Sequence, residues 1–327
     1  MTRPVIACLG AGRMGRGIAV AFAYAGHQVR LIDMKPRDDA SFAELDRAAR
    51  GEIRDTLATL AGVGLFDPAA VDLVAARVTA VRAEAGPAAL AEAELVFEGV
   101  PEIVELKRAV LAEASRHLRP TAILASTTST ILVDYLADAI VGPERFLNAH
   151  WLNPAYLVPL VELSPGRRTD PAVTGRIRAI LEGMGKVPVV CRASPGYIVP
   201  RIQALAMNEA ARMVEEGVAS AAEIDRAIRF GFGFRFAVLG MLEFVDWGGG
   251  DILHYASRYL EGALGHDHYR APDIIGRNMA AGRIGLRTGE GFLDYAGLDV
   301  EAFRRERLGA LVALLRHMEL AREPDLG

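Results

Sequence analysis

Residues 5–15 decide the fold of this chain and read VIACLGAGRMG. The first five are apolar without a break, which is typical of a short buried strand. Glycines follow at positions 10, 12 and 15. Apolar residues then recur at helical spacing until Gly26 offers a stop, namely Met14, Ile18, Phe22 and Ala25. The stretch predicts a strand, a glycine turn and a helix.

The three glycines have separate tasks if this turn binds a dinucleotide. Gly10 allows a tight turn, Gly12 lets the backbone approach a pyrophosphate, and Gly15 lets the helix pack closely on the strand. The N-terminus of the helix presents unpaired N–H groups to the anion, beside Arg13 and Met14.

Asp33 lies eighteen residues beyond Gly15, at the end of a second apolar run over residues 29–32. An acid at this place accepts hydrogen bonds from ribose hydroxyls and repels a 2′-phosphate, which favours NAD over NADP. Lys35 and Arg37 are nearby cations that weaken this preference. We predict an NAD site that contains Gly10, Gly12, Arg13, Met14, Gly15 and Asp33.

Further apolar runs alternate with helical segments and predict a parallel sheet covered on both faces. They occupy residues 95–97, 123–125, 146–149, 160–163 and 187–191. Between residues 40 and 93 we expect an antiparallel helix pair that projects from the sheet. Because Ser194-Pro195-Gly196 breaks the pattern, we place a domain boundary there. The predicted fold is α/β, with a Rossmann-type doubly wound sheet in residues 1–193 and an all-helical domain in residues 194–327.

Composition narrows the class of protein. The 327 residues suggest about two domains, and 37 basic against 41 acidic residues leave no positive surplus for nucleic acid or an anionic membrane. Two cysteines cannot build a disulfide framework, and no apolar run reaches the roughly 18 to 20 residues of a membrane span. We expect a cytoplasmic protein that binds a small-molecule substrate and holds no metal.

His150 and Glu162 suggest chemistry. The histidine follows an apolar run, and the glutamate lies inside another, where a carboxylate is costly unless it is paired. Together they form a base and the group that orients it. Taken alone, a histidine at a strand end is more often structural.

The run Ser126-Thr127-Thr128-Ser129 follows the predicted strand at residues 123–125, at the edge where open α/β sheets bind ligands. Its hydroxyls are suited to a substrate oxygen. The alternative is that one of them caps the following helix.

With these motifs in their order and spacing, the chain resembles the 3-hydroxyacyl-CoA dehydrogenase superfamily over nearly its whole length. The other matching pieces are residues 98–102 with Lys107, residues 150–154, 185–188 and 195–197, Arg201 and residues 289–292. The resemblance implies that His150 is the catalytic base paired with Glu162 and that Ser126 contacts the reacting oxygen. It also implies that Glu102 and Lys107 lie near the nicotinamide ribose, and that the helical domain forms a homodimer.

Two positions depart from the family pattern. Thr127 stands where the serine loop usually has asparagine, and Pro200 stands where asparagine usually precedes Arg201. The substrate contacts, for which Ser126, Thr127 and Asn153 are candidates, have therefore changed.

The substrate is predicted to be a free acid. The helix pair has no lysine for the phosphates of coenzyme A, whereas Arg235 lies in an aromatic, glycine-broken segment suited to capture of a carboxylate. Arg235 is about as well explained by stacking on Phe234 or Phe236 and pairing with Glu243. The segments around Arg235 and Asn153 are similar to the free-acid branch, with gulonate dehydrogenase (lambda-crystallin), carnitine dehydrogenase and a formyl-pyridine-carboxylate dehydrogenase.

We therefore expect an NAD-dependent dehydrogenase acting on a small carboxylate-bearing substrate, a 3-hydroxy acid. Three alternatives are a 3-hydroxyacyl-CoA dehydrogenase, an enzyme that oxidises an aromatic aldehyde, and a non-catalytic dinucleotide sensor or structural protein. A decarboxylating 3-hydroxyacid dehydrogenase is disfavoured, because Lys186 precedes a strand and does not suit that group's helix-borne catalytic lysine.

Overall fold

A computed structural model describes residues 3–326 of the chain. The chain divides into two compact units, Met1–Ala206 and Met207–Gly327. Each unit is described by itself below.

The first unit is built on one eight-stranded sheet in the order β3-β2-β1-β4-β5-β6-β7-β8. Its strands are β1 Ile6–Leu9, β2 Val29–Ile32, β3 Val78–Val81, β4 Leu95–Glu98, β5 Ile123–Ser126, β6 Phe146–Trp151, β7 Leu160–Pro165 and β8 Val187–Val190. All neighbours are parallel except β6 and β7. The exception has a simple cause, because residues 152–159 are fewer than the dozen or more that a parallel crossover needs.

Helices cover both faces of the sheet, as the parallel strands require. They are α1 Arg13–Tyr24, α2 Asp39–Gly62, α3 Val71–Ala75, α4 Gly86–Glu92, α5 Val104–His117, α6 Val133–Ala137 and α7 Pro171–Gly183. Apolar residues of α1, α2 and α7 pack in one core, and those of α4, α5 and α6 pack in the other. The carboxyl ends of β1, β4, β5 and β6 consequently meet at one edge of the sheet.

The predicted helix pair is observed, although its second member is short. Its first member is the long helix α2, capped by Asp38, whose side chain accepts from the N–H of Ser41. The second member is only a 3₁₀ turn, Pro68–Ala70, followed by the five-residue α3. The same stretch also contains β3, which we did not predict. β3 is a four-residue edge strand with a half-exposed burial pattern, so its apolar signal is weak.

The second unit is helical. After α8, Val199–Glu215, come α9 Ala221–Ala227, α10 Phe234–Phe236, α11 Met241–Gly248, α12 Gly250–Leu264, α13 Asp273–Ala280 and α14 Val300–His317. The segment that we expected to be broken by glycines is instead a π-helix, Ile228–Gly233, which leads directly into α10. None of the helices in residues 3–326 has the length and hydropathy needed to traverse a bilayer.

Candidate active site

The glycine turn connects β1 to α1 and has the shape that a dinucleotide requires. Gly10 has φ +101°, a conformation that L side chains rarely adopt, and a Cβ on Gly15 would collide with the Gly10 carbonyl oxygen. Gly12 faces open space, since nothing lies within 4 Å of the position of its missing Cβ. Gly12 is also the N-cap of α1 and provides no side-chain cap bond. The helix N-terminus therefore presents N–H groups toward open space, which fits the pyrophosphate of NAD.

The other predicted cofactor residues lie around this turn. Asp33 is buried at the end of β2, where its carboxylate accepts from Arg37 Nε at 2.5 Å and from the N–H of Lys35 at 3.3 Å. Arg13 is exposed at the start of α1, whereas Met14 packs against the core beneath it. The Arg37 guanidinium and the backbone N–H of Lys35 thus hold the Asp33 carboxylate in place at the strand end.

His150 and Glu162 are brought together by the sheet itself. They are direct cross-strand partners in the antiparallel pair β6–β7, and His150 Nδ1 lies 2.8 Å from Glu162 Oε2. Both residues are buried, and within residues 3–326 no hydrogen bond is made to His150 Nε2. Since the carboxylate accepts the proton on Nδ1, Nε2 carries the free lone pair of the neutral ring. The predicted pair is present with the geometry of a base and its orienting acid.

The second oxygen of Glu162 binds the start of α8. Glu162 Oε1 accepts from the N–H groups of Ile198 and Val199, both at 2.9 Å. Burial alone would raise the pKa of Glu162, but the hydrogen bonds from His150 and these two N–H groups outweigh it and lower the pKa below its usual value. Glu162 is therefore held ionised beside the imidazole.

Tyr197 packs against the His150 ring. The two rings stack with centroids 4.9 Å apart and an angle of 11° between their planes. The Tyr197 hydroxyl donates to the Thr128 carbonyl oxygen at 2.8 Å and accepts from Asn148 Nδ2 at 3.1 Å. Tyr197 has φ +46°, a strained value for a residue with a side chain. We did not predict this role, because the sequence shows only a tyrosine after Pro195-Gly196.

Lys107 is buried in the protein rather than open to a ligand. It is 1% exposed, and its Nζ lies 2.8 Å from Glu98 Oε1, 3.1 Å from the Val100 carbonyl oxygen and 3.3 Å from Glu102 Oε2. All three N–H donors thus have an acceptor in the protein. These contacts hold Glu98 and Glu102 in place, and the position of Lys107 near the nicotinamide ribose stays a prediction.

Glu98 is a site residue that sequence reasoning missed. It ends β4 and is fully buried, with Oε1 accepting from Lys107 and the N–H of Val100, and Oε2 accepting from Ser126 Oγ at 2.5 Å. Its position in the sequence could have identified it, since Glu98 ends an apolar run and a carboxylate there needs partners. The same rule had identified Glu162.

Ser126 is fully buried at the end of β5 and donates its hydroxyl to Glu98. Its contact with the reacting oxygen stays a prediction. Thr127 is also buried, whereas Ser129 is exposed on the loop after β5. None of these residues caps α6, whose N-cap is Leu132.

Glu102 shapes the loop that carries Ser129. Its Oε1 accepts from the hydroxyls of Thr128 and Thr130 and from the N–H groups of Ser129 and Thr130. Burial favours a higher pKa for Glu102, but the Thr128 hydroxyl and the Lys107 charge outweigh it and lower the pKa. The charged carboxylate therefore fixes the loop after β5.

The two remaining candidates are Asn153 and Arg235. Asn153 is exposed in the connection between β6 and β7, and its side chain makes no hydrogen bond within residues 3–326. Arg235 belongs to the second unit, where it is exposed and lies over the Phe244 ring at 5.2 Å. Glu243 pairs with Arg307 at 2.7 Å and not with Arg235. The expected stacking is thus on Phe244 instead of Phe234 or Phe236.

Lys186 is explained by structure. Its Nζ donates to the carbonyl oxygens of Ala155 and Val158, both at 2.7 Å, and burial lowers its pKa. Lys186 therefore fixes the connection between β6 and β7. This structural role agrees with the prediction that it is not a catalytic lysine. Within residues 3–326, no group of three or more His, Cys, Asp or Glu side chains is arranged to hold a metal ion.

Comparison with known proteins identifies the family. The model of the 3-hydroxyacyl-CoA dehydrogenase NAD binding domain matches residues 5–194, and the model of the C-terminal domain of the same enzymes matches residues 196–295. The chain belongs to the 3-hydroxyacyl-CoA dehydrogenase family. As a member of this family, it is an NAD-dependent dehydrogenase.

Relatives from this family cover the chain almost completely. A 5-formyl-3-hydroxy-2-methylpyridine 4-carboxylate 5-dehydrogenase of Mesorhizobium japonicum is 32% identical over 96% of this chain and 98% of the relative. A 3-hydroxybutyryl-CoA dehydrogenase of Bradyrhizobium diazoefficiens is 33% identical over 89% of this chain and 95% of the relative. The crystal structure of a 3-hydroxyacyl-CoA dehydrogenase of Archaeoglobus fulgidus has a TM-score of 0.76 and 31% identity, with 98% of this chain and all of that chain covered.

These matches confirm the predicted family, the Rossmann-type fold with a helical C-terminal domain, the NAD cofactor and the dehydrogenase activity of the 3-hydroxyacyl-CoA dehydrogenase family. The named relatives include both an enzyme of a pyridine carboxylate and an enzyme of a CoA ester. These names therefore do not decide the substrate of this chain, which has to be inferred from its own residues.

Proposed function

We propose that this dehydrogenase oxidises the hydroxyl-bearing carbon of a small carboxylate, a 3-hydroxy acid, with His150 as the base. The observation that carries the proposal is the buried His150–Glu162 pair, 2.8 Å apart, with no hydrogen bond to Nε2 of the imidazole from residues 3–326. A base needs this arrangement, because the partner acid fixes the tautomer and leaves the lone pair for the substrate.

The roles of the protein groups follow from this arrangement. Bound NAD supplies the hydride acceptor at its nicotinamide ring. His150 Nε2 takes the proton of the substrate hydroxyl, and Glu162 stabilises the imidazolium that results. The Tyr197 ring packs on one face of His150 and prevents the imidazole from rotating. The site thus removes the hydroxyl proton at a fixed place while the hydride leaves the carbon that bears this oxygen.

Ser129 is a second residue that we propose for the contact with the substrate oxygen, beside Ser126. Its side chain is exposed, and its N–H is fixed by Glu102 at 3.1 Å. The neighbouring Thr128 carbonyl is bound by Tyr197, which itself stacks on His150, so the loop and the base are held by one residue. Thr127 and Asn153 remain our further candidates for substrate contacts.

An aldehyde substrate is the second candidate. The relative from Mesorhizobium japonicum is named for a formyl-pyridine carboxylate and is similar over nearly its whole length. His150 is suited to this reaction as well, because the same base would deprotonate a hydrated aldehyde. Both candidate substrates bear a carboxylate, for which we propose Arg235 as a contact, since its guanidinium is exposed and has no ion pair within residues 3–326.

We also propose that residues 1–193 form the NAD-binding domain and that residues 194–327 form a helical domain that makes a homodimer. Helix α12 supports this proposal, because it has no buried residue and exposes Ile252, Tyr255 and Tyr259 by 62%, 63% and 72%. Such an apolar surface is larger than expected for a free helix face. Light scattering after gel filtration measures the assembly. We further propose a cytoplasmic location, since Cys8 and Cys191 are both unpaired.

The test of the function uses NADH absorbance with purified protein, NAD and a panel of small 3-hydroxy acids, their CoA esters and aromatic aldehydes. We expect His150→Asn to abolish turnover and to leave NAD binding unchanged, because the residue acts on the substrate proton. His117→Asn is the matched control, since His117 lies on the surface of α5 and pairs with Glu113. Full activity of His150→Asn would remove His150 from its proposed role.

A further inference from the structure

A cavity of about 340 Å³ lies between α1, α2 and the connection from β6 to β7. Its polar lining consists of Arg13, Arg16, Glu52, Thr56, Asn153 and Tyr156. Helix α1 and the connection are close together here, since a Cβ on Gly17 would lie 3.3 Å from the Cβ of Ala155. The cavity therefore adjoins the first turns of the helix that begins at the glycine turn. On its other side it adjoins Asn153, three residues after His150.

The charges in this cavity are unbalanced. Arg16 pairs through Nη1 with Glu52, but its Nε is buried and has no hydrogen-bond acceptor. Arg13 makes no ion pair within residues 3–326. Since Arg13 is also predicted to bind the pyrophosphate of NAD, the cation left for the substrate is Arg16, whose buried Nε has no acceptor within residues 3–326. A carboxylate ligand supplies that acceptor.

A groove continues from the cavity along α2 and has the opposite charge. The two share Glu52, Thr56 and Tyr156, and the groove adds Asp55 and Leu157 without any lysine or arginine in its lining. A ligand that extends from the cavity along this groove meets two carboxylates. The phosphate groups of a CoA ester would be repelled there, whereas a compact acid would end inside the cavity.

We propose that this cavity binds the carboxylate of the substrate through Arg16, with Arg13 and Asn153 beside it, and that the enzyme acts on a compact free acid instead of a CoA ester. The proposal rests on the proposed function, because it names the substrate class of that same site. It also places the principal carboxylate contact at Arg16, and Arg235 becomes the competing candidate. Glu52 holds Arg16 in place when no substrate is bound and competes with the substrate for it.

The first test compares 3-hydroxybutyrate with 3-hydroxybutyryl-CoA as substrates of the full chain with NAD. We expect a higher kcat/KM for the free acid. Arg16→Met should raise its KM by about tenfold to a hundredfold, since a charged hydrogen bond is lost, and should leave the KM for NAD unchanged. Arg54→Met is the control on α2, because Arg54 pairs with Asp72 and does not line the cavity.

The second test measures binding without turnover. Calorimetry with acetoacetate and the NADH complex should give a Kd that rises about tenfold or more in Arg16→Met and falls by up to about fivefold in Glu52→Gln. An equal Kd in wild type and Arg16→Met, or no binding by wild type, overturns the cavity proposal. So does a larger effect of Arg235→Met than of Arg16→Met, or a preference for the CoA ester. The proposed function fails separately, if no substrate of the panel yields NADH.

Discussion

Replacing Lys107 by methionine tests whether the buried charge network supports the site. Lys107 is 1% exposed and Glu98 is fully buried, and their charged atoms are 2.8 Å apart. The variant keeps an apolar side chain of similar length but leaves Glu98 without its cation. Removal of one partner from a buried pair costs about 3 to 5 kcal/mol. Glu98 keeps hydrogen bonds from the Val100 N–H and the Ser126 hydroxyl, so we expect the lower end, about 3 kcal/mol.

The assay is denaturant unfolding combined with a double-mutant cycle. We measure the free energy of unfolding of wild type, Lys107→Met, Glu98→Gln and the double variant. If the cost comes from an unpaired buried charge, the double variant will be more stable than Lys107→Met, because the amide removes that charge. Lys35→Met is the matched control, since Lys35 is exposed, and it should change stability by less than about 0.5 kcal/mol.

The same variant has a functional consequence. Lys107 also lies 3.3 Å from Glu102, which fixes the N–H groups of Ser129 and Thr130. Its loss should loosen the loop after β5 and lower kcat. The reasoning is refuted if Lys107→Met loses less than about 1 kcal/mol of stability, or if the double variant is no more stable than the single one.

Two further predictions concern the groups around His150. The pKa of Glu162 is lowered in the folded state, so its stabilising effect is complete above its unfolded pKa of about 4.3 and is lost as the pH falls below it. The stability difference between wild type and Glu162→Gln, measured by denaturation, should therefore shrink from pH 6 to pH values below about 4, and a constant difference would contradict this. Tyr197→Phe keeps the ring stack but leaves the Thr128 carbonyl and Asn148 without the hydroxyl. We expect it to lower the free energy of unfolding by about 1 to 3 kcal/mol and to lower kcat. An unchanged unfolding midpoint and an unchanged kcat would exclude this role.

The sequence predicted most elements of the first unit because each has a clear local signal. The apolar run 29–32 and the helix between the glycine turn and Gly26 were predicted from their local pattern, and they are observed as β2 and α1. β3 was missed because a short edge strand carries little apolar pattern. The π-helix was missed because Gly231 and Gly233 suggested a break, while the helix tolerates them through a different hydrogen-bond spacing.

The candidate site was predictable where one residue carries its own evidence. Glu162 was found because a carboxylate in an apolar strand must be paired, and the observed partner is the expected His150. The role of Tyr197 could not be found from the sequence, since it depends on a strained backbone angle and on contacts with residues far away in the chain. The burial of Ser126 was unexpected for a similar reason. Four neighbouring hydroxyls look alike in sequence, and only their burial shows that Ser126 points to Glu98.

The two buried carboxylates of the site, Glu162 and Glu98, are alike in that both oxygens of each accept hydrogen bonds. Glu162 holds His150 with one oxygen and binds N–H groups at the start of α8 with the other, and Glu98 likewise binds Lys107, Ser126 and the N–H of Val100. Tyr197 connects the two halves, since its ring stacks on His150 and its hydroxyl binds the loop that Glu98 and Lys107 support. We therefore expect a displacement in the lysine network to reach the His150 imidazole through Tyr197. For this reason Lys107→Met should lower kcat although Lys107 touches neither His150 nor Glu162.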